Sequence, residues 1–330
     1  MHPVVSVIVP IFKVEAFIKK CVQQLLQQSL DNIELLFVDD ASPDNSLLIL
    51  KEELSLYKGQ KTFKIIQHRQ NLGLPAARNT GLKEASGDFV FHCDSDDWLD
   101  KNALESLVTC AEQQHADIVF CDWYLSYRAK ERYMSQYVDG VDLTKPTEVV
   151  RAILSGKLKY NVWNKLVRRK LYTDHNIWFP AGYGMGEDMT MIQLFAFAKR
   201  TAYLPQALYH YVQLNTGAFT KTVSQKHLEQ IKYNVETLLN FVEKFWKGQF
   251  NQELHFFKLN VKLPFLISTD IQSYERWLLW YPESNAYIDR NPLFSKRTKL
   301  LQKWALQKNF RLLQCYNFLI YTVIYRMLYR

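Results

Sequence analysis

Gly87-Asp88-Phe89-Val90-Phe91-His92-Cys93-Asp94-Ser95-Asp96-Asp97 is an apolar run that ends abruptly in three carboxylates packed within four residues. At an effective dielectric near 20, two unit charges about 4 Å apart repel by roughly 4 kcal/mol, so a fold that keeps Asp94, Asp96 and Asp97 together needs a compensating group. A divalent cation is one such group. Carboxylate oxygens are the ligands Mg²⁺ and Mn²⁺ prefer, and Mg²⁺ is usually held by one or two carboxylates plus substrate phosphates. A helix start is the other, with Asp96 or Asp97 capping a helix that begins near Asp100.

The surroundings of the cluster bear on that choice. Residues 4–9 are a β-branched run ended by Pro10, and residues 15–28 then place Phe17, Ile18, Cys21, Val22, Leu25 and Leu26 at helical spacing. A strand follows at 33–38. Ser42-Pro43 reads as an N-cap with proline at the first helical position of a helix over 43–57. Strands at 63–67, 89–93 and 118–121 alternate with helices at 76–85 and 101–113. Strand runs buried on both faces, with helices between them, imply a parallel sheet whose ligand crevice lies at the carboxyl ends of the strands. Asp39-Asp40, Asn71 and Asp94-Ser95-Asp96-Asp97 all fall on that edge, which a single helix cap does not explain.

These residues resemble, motif by motif, the family 2 inverting glycosyltransferases of the GT-A fold. Val5-Ser6-Val7-Ile8-Val9-Pro10 looks like that family's opening strand, and Val38-Asp39-Asp40-Ala41-Ser42-Pro43-Asp44 like its second strand with the carboxylate that reads the nucleotide base. Asn71-Leu72-Gly73 with Ala77-Arg78-Asn79-Thr80-Gly81 is similar to its third element. Asp94-Ser95-Asp96-Asp97-Trp98 resembles its metal motif, and Gly186-Glu187-Asp188 the segment that supplies the catalytic base. Val162-Trp163-Asn164-Lys165-Leu166 and Leu208-Tyr209-His210-Tyr211 look like segments of members that build bacterial surface polysaccharides. The likeness covers roughly residues 3 to 215. It departs at Phe12-Lys13, where members commonly carry Tyr-Asn; a ring survives there and a hydroxyl does not.

The resemblance implies an α/β catalytic domain, expected over 1–225; from about Lys226 strand signals vanish and helical patterns rich in Phe, Trp and Tyr take over, so a helical extension is expected over 226–330. The resemblance also implies a UDP-sugar donor, a Mn²⁺ or Mg²⁺ cofactor and an oligosaccharide or lipid-linked acceptor. Donor contacts are expected from Pro10, Phe12, Asp40, Asn71, Arg78, Asp94 and Ser95. Phe12 offers a face to uracil, and Asp40 a charged acceptor for an imide N–H. Arg78 offers a planar fork to base or diphosphate, against the plainer alternative of a surface ion pair. Asp96, with Asp94, is expected to hold the cation that neutralises the departing diphosphate. Asp188, with Glu187, is the expected base, although two acids at a helix start are also common caps. His210 is a further candidate metal ligand, although a lone histidine among aromatics more often packs structurally.

Composition narrows the setting. The five cysteines are scattered and lack metal-ligand spacing, and no charged and apolar leader precedes Val4, so a cytoplasmic protein is expected. Of the net charge of +8, a concentrated share lies after Phe294, where Lys296, Arg297, Lys299, Lys303, Lys308, Arg311, Arg326 and Arg330 occur with no acid. Leu312, Leu313, Tyr316, Leu319, Ile320, Val323, Ile324 and Met327 form an apolar stripe. The uncharged interval between Arg311 and Arg326 is shorter than the ~20 residues a bilayer span requires. An interfacial helix on anionic lipid is expected, with ordinary packing as the alternative. Nucleic-acid binding is not expected, since no recognition motif accompanies the charge. A dinucleotide oxidoreductase or a nucleotidyltransferase would want glycines after the first strand, and residues 10–16 contain none. Gln272-Ser273-Tyr274-Glu275-Arg276-Trp277 has one residue too many for the Gln-x-x-Arg-Trp of processive synthases. The rival from another class is a catalytically silent scaffold or carbohydrate-binding partner.

Overall fold

All seven residues of Val5–Ile11 are buried and form the first strand, β1, as a run covered on both faces must. In the computed structural model, which describes residues 2–127, 130–214 and 224–320, the chain forms two compact units, residues 1–150 with 159–241 and residues 151–158 with 242–330. After β1 come α1 (Ile18–Leu26), β2 (Ile33–Asp39), α2 (Ser46–Leu56), β3 (Thr62–Gln67), α3 (Leu74–Glu84), β4 (Phe89–His92), β5 (Trp98–Leu99) and α4 (Ala103–Gln113). β6 (Ile118–Ser126), β7 (Glu131–Met134), α5 (Pro146–Ser155), β8 (Lys165–Arg168), α6 (Arg169–Asp174), a single helical turn at Glu187–Met189, α7 (Thr190–Phe197) and β9 (Thr201–Val212) follow. α8 (Gln225–Trp246) begins in the first unit and ends in the second.

Among the described residues nine strands make one sheet, ordered β3-β2-β1-β4-β8-β6-β9-β5 with β7 on β6. β1 pairs in parallel with β2 and β4, and β2 with β3. The chain therefore steps outward from β1 to β3 and returns to the other side of β1 as β4. That reversal is a topological switch point, and the crevice for a ligand lies beyond the carboxyl ends of β1 and β4. β8 lies antiparallel between β4 and β6, so the far half of the sheet is mixed, while the end that carries the acidic motifs is parallel as expected.

α3 lies so close to β1 that a Cβ at Gly81 would stand 2.4 Å from Ile8 Cγ2. Only glycine permits that approach, which brings Arg78 over the strand ends. The helix expected from Pro43 begins at Ser46 instead. Ser42 is not its N-cap: its hydroxyl accepts from Lys13 N–H at 2.8 Å and donates to Asp44 Oδ1 at 2.6 Å. Asp44 in turn accepts from Glu15 N–H at 3.0 Å, so the turns after β1 and β2 are stitched together.

The second unit holds α9 (Asn251–Lys262), α10 (Ile271–Leu279), α11 (Lys296–Leu306) and α12 (Phe310–Leu319) around a core that includes Leu259, Leu266, Tyr274, Trp277, Ala305 and Leu313. Trp277 is fully buried there, which gives the near match to a synthase motif a plain packing role. Of the apolar stripe expected over 312–327, Leu313 packs into this core with Tyr316 against it, while Leu312 and Leu319 are exposed; residues 321–327 lie outside the described residues.

Candidate active site

The carboxyl ends of β1, β2 and β4 bring Pro10, Phe12, Asp40 and the Asp94–Asp97 turn to one edge. Phe12 follows β1 as a residue 40% exposed, as a stacking residue must be, and the Lys13 ammonium lies 5.3 Å from its ring centroid. Asp40 is placed differently from expectation. Its buried carboxylate accepts from the backbone N–H groups of Leu72 and Gly73, both at 2.8 Å, and from His68 Nδ1 at 2.7 Å. Three donors on one carboxylate fix the 71–73 turn against β2, and Asn71 adds a contact from its side-chain amide to the Asp40 carbonyl at 3.3 Å. Asp40 and Asn71 are thus bound to one another's segments. His68, which sequence reasoning passed over, continues the chain through Nε2 to the Thr80 hydroxyl at 2.9 Å on α3.

The acidic turn separates its charges among different partners. Asp97 is buried and accepts from Val212 N–H and from the Tyr209 hydroxyl, both at 2.7 Å. Burial, with Asp96 and Asp94 beside it, holds its carboxyl well above the usual range. Asp97 therefore ties the end of β4 to β9 rather than facing a ligand. Asp94 turns the other way and accepts from Arg78 Nη2 at 3.0 Å. Ser95 is buried, and Asp96, half-buried, stands between the two divergent neighbours.

Arg78 is the centre of the site. Its side chain is 2% exposed, Nη1 donates to Glu187 Oε1 at 3.0 Å and to Asp188 Oδ1 at 3.3 Å, and Nη2 reaches Asp94. The guanidinium also lies 5.5 Å from the Phe179 ring centroid. Burial alone would lower its pKa, but Asp94, Glu187 and Asp188 together outweigh burial and raise it above the ordinary arginine value. The fork expected to read the nucleotide is instead committed to three carboxylates drawn from two distant segments. It is this contact that carries the far loop of Glu187-Asp188 to the acidic turn after β4.

Local structure supports the same convergence. Asn79, next on α3, brackets the loop's entry: its amide donates to the Phe179 carbonyl at 2.8 Å and its oxygen accepts from Phe179 N–H at 2.9 Å. Gly186 has φ +85°, a left-handed conformation in which a side chain is strained, and it starts the turn Glu187–Met189. Glu187 lies as close to Arg78 as Asp94 does, yet burial and then its neighbour Asp188 outweigh that pairing and push it up to about 8. Asp188 is likewise raised by burial, against the pull of Arg78. Nearby Lys165, wholly buried with its ammonium on Asn161 O at 2.6 Å and Asn164 Oδ1 at 2.7 Å, is lowered by burial to about 7.

His210 does not join the acidic turn as a ligand. Its ring is stacked between Trp98 and Tyr124, with Nδ1 2.7 Å from Glu131 Oε1 and Nε2 3.1 Å from Asp100 Oδ1. Both ring nitrogens are thus engaged by carboxylates away from the Asp94–Asp97 turn. Among the described residues no group of three His, Cys, Asp or Glu side chains has metal-cage geometry. The donor chemistry nevertheless fits a cation such as Mg²⁺ or Mn²⁺, which takes one or two carboxylates and completes its shell with substrate phosphates and water. Asp96 and Asp94, at the crevice end of β4, are the carboxylates that would hold it.

A sheet with a switch-point crevice, an acidic turn at the end of β4 and a carboxylate pair delivered from a downstream loop define a GT-A glycosyltransferase. The sequence model of Glycosyl transferase family 2 matches residues 6–179. The uncharacterized glycosyltransferase EpsJ of Bacillus subtilis is 33% identical over 238 residues, 70% of this chain and 68% of that one; the putative glycosyltransferase EpsH of the same organism is 30% identical over 249 residues, 73% and 70%. The crystal structure of Staphylococcus aureus TarS residues 1–349 with UDP-GlcNAc superposes with a TM-score of 0.69 at 19% identity, over 94% of this chain and 90% of that chain. The chain belongs to glycosyltransferase family 2 and is a transferase enzyme.

Proposed function

We propose that the protein is a non-processive, inverting, metal-dependent transferase that moves one sugar from a UDP-sugar to an oligosaccharide or lipid-linked acceptor in bacterial surface-glycan assembly. The observation that carries this is the Arg78 hub, which joins the acidic turn after β4 to Glu187-Asp188 and so puts an acid pair beside the donor crevice. TarS supports the choice of donor, having been crystallised with UDP-GlcNAc.

Asp188 is the base. Its side chain keeps 30% exposure where Glu187 keeps 11%, and burial raises its proton affinity. It takes the proton of an acceptor hydroxyl as that oxygen bonds to the anomeric carbon from the face opposite UDP. The bond from that carbon to the β-phosphate oxygen breaks, and UDP leaves with the bonding pair. Arg78 holds Asp188 in place. Phe12 is the stacking face for the base, with Pro10 and Ser95 lining the same edge; Asp40 and Asn71 shape the wall behind them. A cation held by Asp96 and Asp94 would supply charge neutralisation for the departing diphosphate.

We place the reaction at the cytoplasmic face of a membrane. All five cysteines are free thiols, and Cys21 and Cys93, with sulfurs 3.9 Å apart, share a hydrogen bond and no disulfide. On α12, Leu312, Phe318 and Leu319 are exposed beside Arg311, which supports docking on anionic lipid. No helix among the described residues is long and apolar enough to cross a membrane.

The test is a panel of UDP-sugars read by thermal shift with Mn²⁺ or EDTA, in the wild type and Asp96→Ala. At a ligand concentration of 100 Kd the folded state gains about 2.7 kcal/mol. The Mn²⁺-dependent part of that gain should vanish in Asp96→Ala. An α-linked donor should then yield a β-linked product, read by NMR at the anomeric proton. Undiminished UDP binding in EDTA refutes the metal assignment, and retained configuration refutes inversion.

A further inference from the structure

We infer that α8 is the positioning element of the catalytic loop, with Gln230 and Asn234 as its positioning residues; the inference rests on Asp188 acting as the base. The loop over residues 180–186 contains three glycines, two of them at φ +86° and +85°, and makes no regular structure of its own. Its peptide groups therefore need partners from outside.

α8 supplies them from one face. The Gln230 amide donates to the Gly182 carbonyl at 3.0 Å, and its oxygen accepts from Met185 N–H at 3.3 Å. One turn on, the Asn234 amide donates to the carbonyls of Tyr183 at 2.9 Å and Met185 at 2.8 Å. Both side chains are more than nine-tenths buried, so the bonds are shielded from competing water. Between them Tyr233 stacks on Tyr183, centroids 3.7 Å apart and planes within 12°.

Four hydrogen bonds and a ring stack thus hold the backbone immediately before Glu187-Asp188, while Arg78 holds the carboxylates themselves. The acid pair is gripped from two sides. One grip lies inside the segment matched by the family model, and the other, at residues 230–234, lies well beyond residue 179 where that match ends. A glycine-rich loop without the second grip could not keep a base within the fraction of an ångström that proton transfer demands, and a misplacement of about 1 Å can cost about 10²-fold in rate.

The test uses the full chain with Asn234→Leu and Gln230→Met, which keep side-chain size and remove the polar groups. Hydrogen exchange of the amides from Met185 to Asp188 should speed up at least about ten-fold while strand amides stay protected, and UDP affinity should stay within about two-fold. With the donor selected by the panel above, kcat should fall at least about ten-fold at nearly constant donor KM, and Gln230→Glu, which keeps the acceptor for Met185 N–H, should recover part of the loss. Should Asn234→Leu fail to fold, Gln230→Met carries the same measurements. Unchanged loop exchange, unchanged kcat, or UDP affinity lost in step with kcat would each overturn the inference. A wild type that does not bind UDP would instead sink the proposed function, and the exchange measurement would still report on the clamp.

Discussion

Replacing Arg78 by methionine removes one buried cation and leaves Asp94, Glu187 and Asp188 facing one another without it. Those carboxylates lie 3.0, 3.0 and 3.3 Å from the guanidinium nitrogens. At an effective dielectric of about 20, each such contact is worth roughly 5 kcal/mol before desolvation is subtracted. Desolvation cancels most of that attraction, and removing one partner of a buried pair typically costs about 3–5 kcal/mol because the remaining charge is stranded. In a unit of this size about 1 kcal/mol moves Tm by about 2–4 °C, so Arg78→Met should lower Tm by about 6–20 °C near pH 8. The deficit should shrink toward pH 5. Without the guanidinium the buried Glu187 and Asp188 carboxyls bind protons more tightly in the folded than in the unfolded chain, so stability falls as pH rises. Arg78→Lys should recover only part, since an ammonium lacks the planar fork that reaches three carboxylates. Thermal denaturation of the three proteins at both pH values is the assay. An Arg78→Met protein that melts within about 2 °C of wild type at pH 8, or whose deficit grows on acidification, would refute the hub.

Asp188→Asn keeps shape and removes basicity, so kcat should fall at least about 10²-fold while UDP affinity stays within a few-fold; near-normal turnover would return Glu187-Asp188 to a helix-start role. Burial and Asp188 raise Glu187 from its ordinary 4.5 to about 8, so its contribution to stability is present below pH 4.5 and is lost as pH rises through 8. Glu187→Gln should flatten the fall in wild-type stability across that window, which denaturant titration from pH 4 to 9 measures. Deleting residues 310–330 should abolish binding to anionic vesicles and leave UDP binding intact, with the wild-type interaction weakening as salt increases. Vesicle binding that survives the deletion assigns the membrane contact elsewhere.

The alternation of strands and helices was legible from the sequence because it depends on burial periodicity, which is local. Val5–Ile11, Ile33–Asp39 and Phe89–His92 are apolar runs wherever they are read, and their order implies the parallel sheet and the edge on which Asp40, Asn71 and Asp94 gather. The local cap signal of Ser42-Pro43 misplaced the start of α2, because Ser42 and Asp44 are engaged by the turn after β1, some thirty residues away.

What each charged group does at that edge was decided only by the tertiary structure. Arg78 meets Asp94 across 16 residues of chain but Glu187 and Asp188 across 109 and 110, and no spacing rule reaches that far. Asp97 looks like a third ligand in its run and is instead spent on Tyr209 and Val212, 112 and 115 residues downstream. His210, a candidate ligand by residue type, has both nitrogens taken by Asp100 and Glu131. A side chain's chemistry is written in its type, and the chain order carries enough to say which strand end presents it. Which partner satisfies it depends on where distant segments pack, because a buried charge goes to whichever opposite charge or donor the fold brings within about 3 Å.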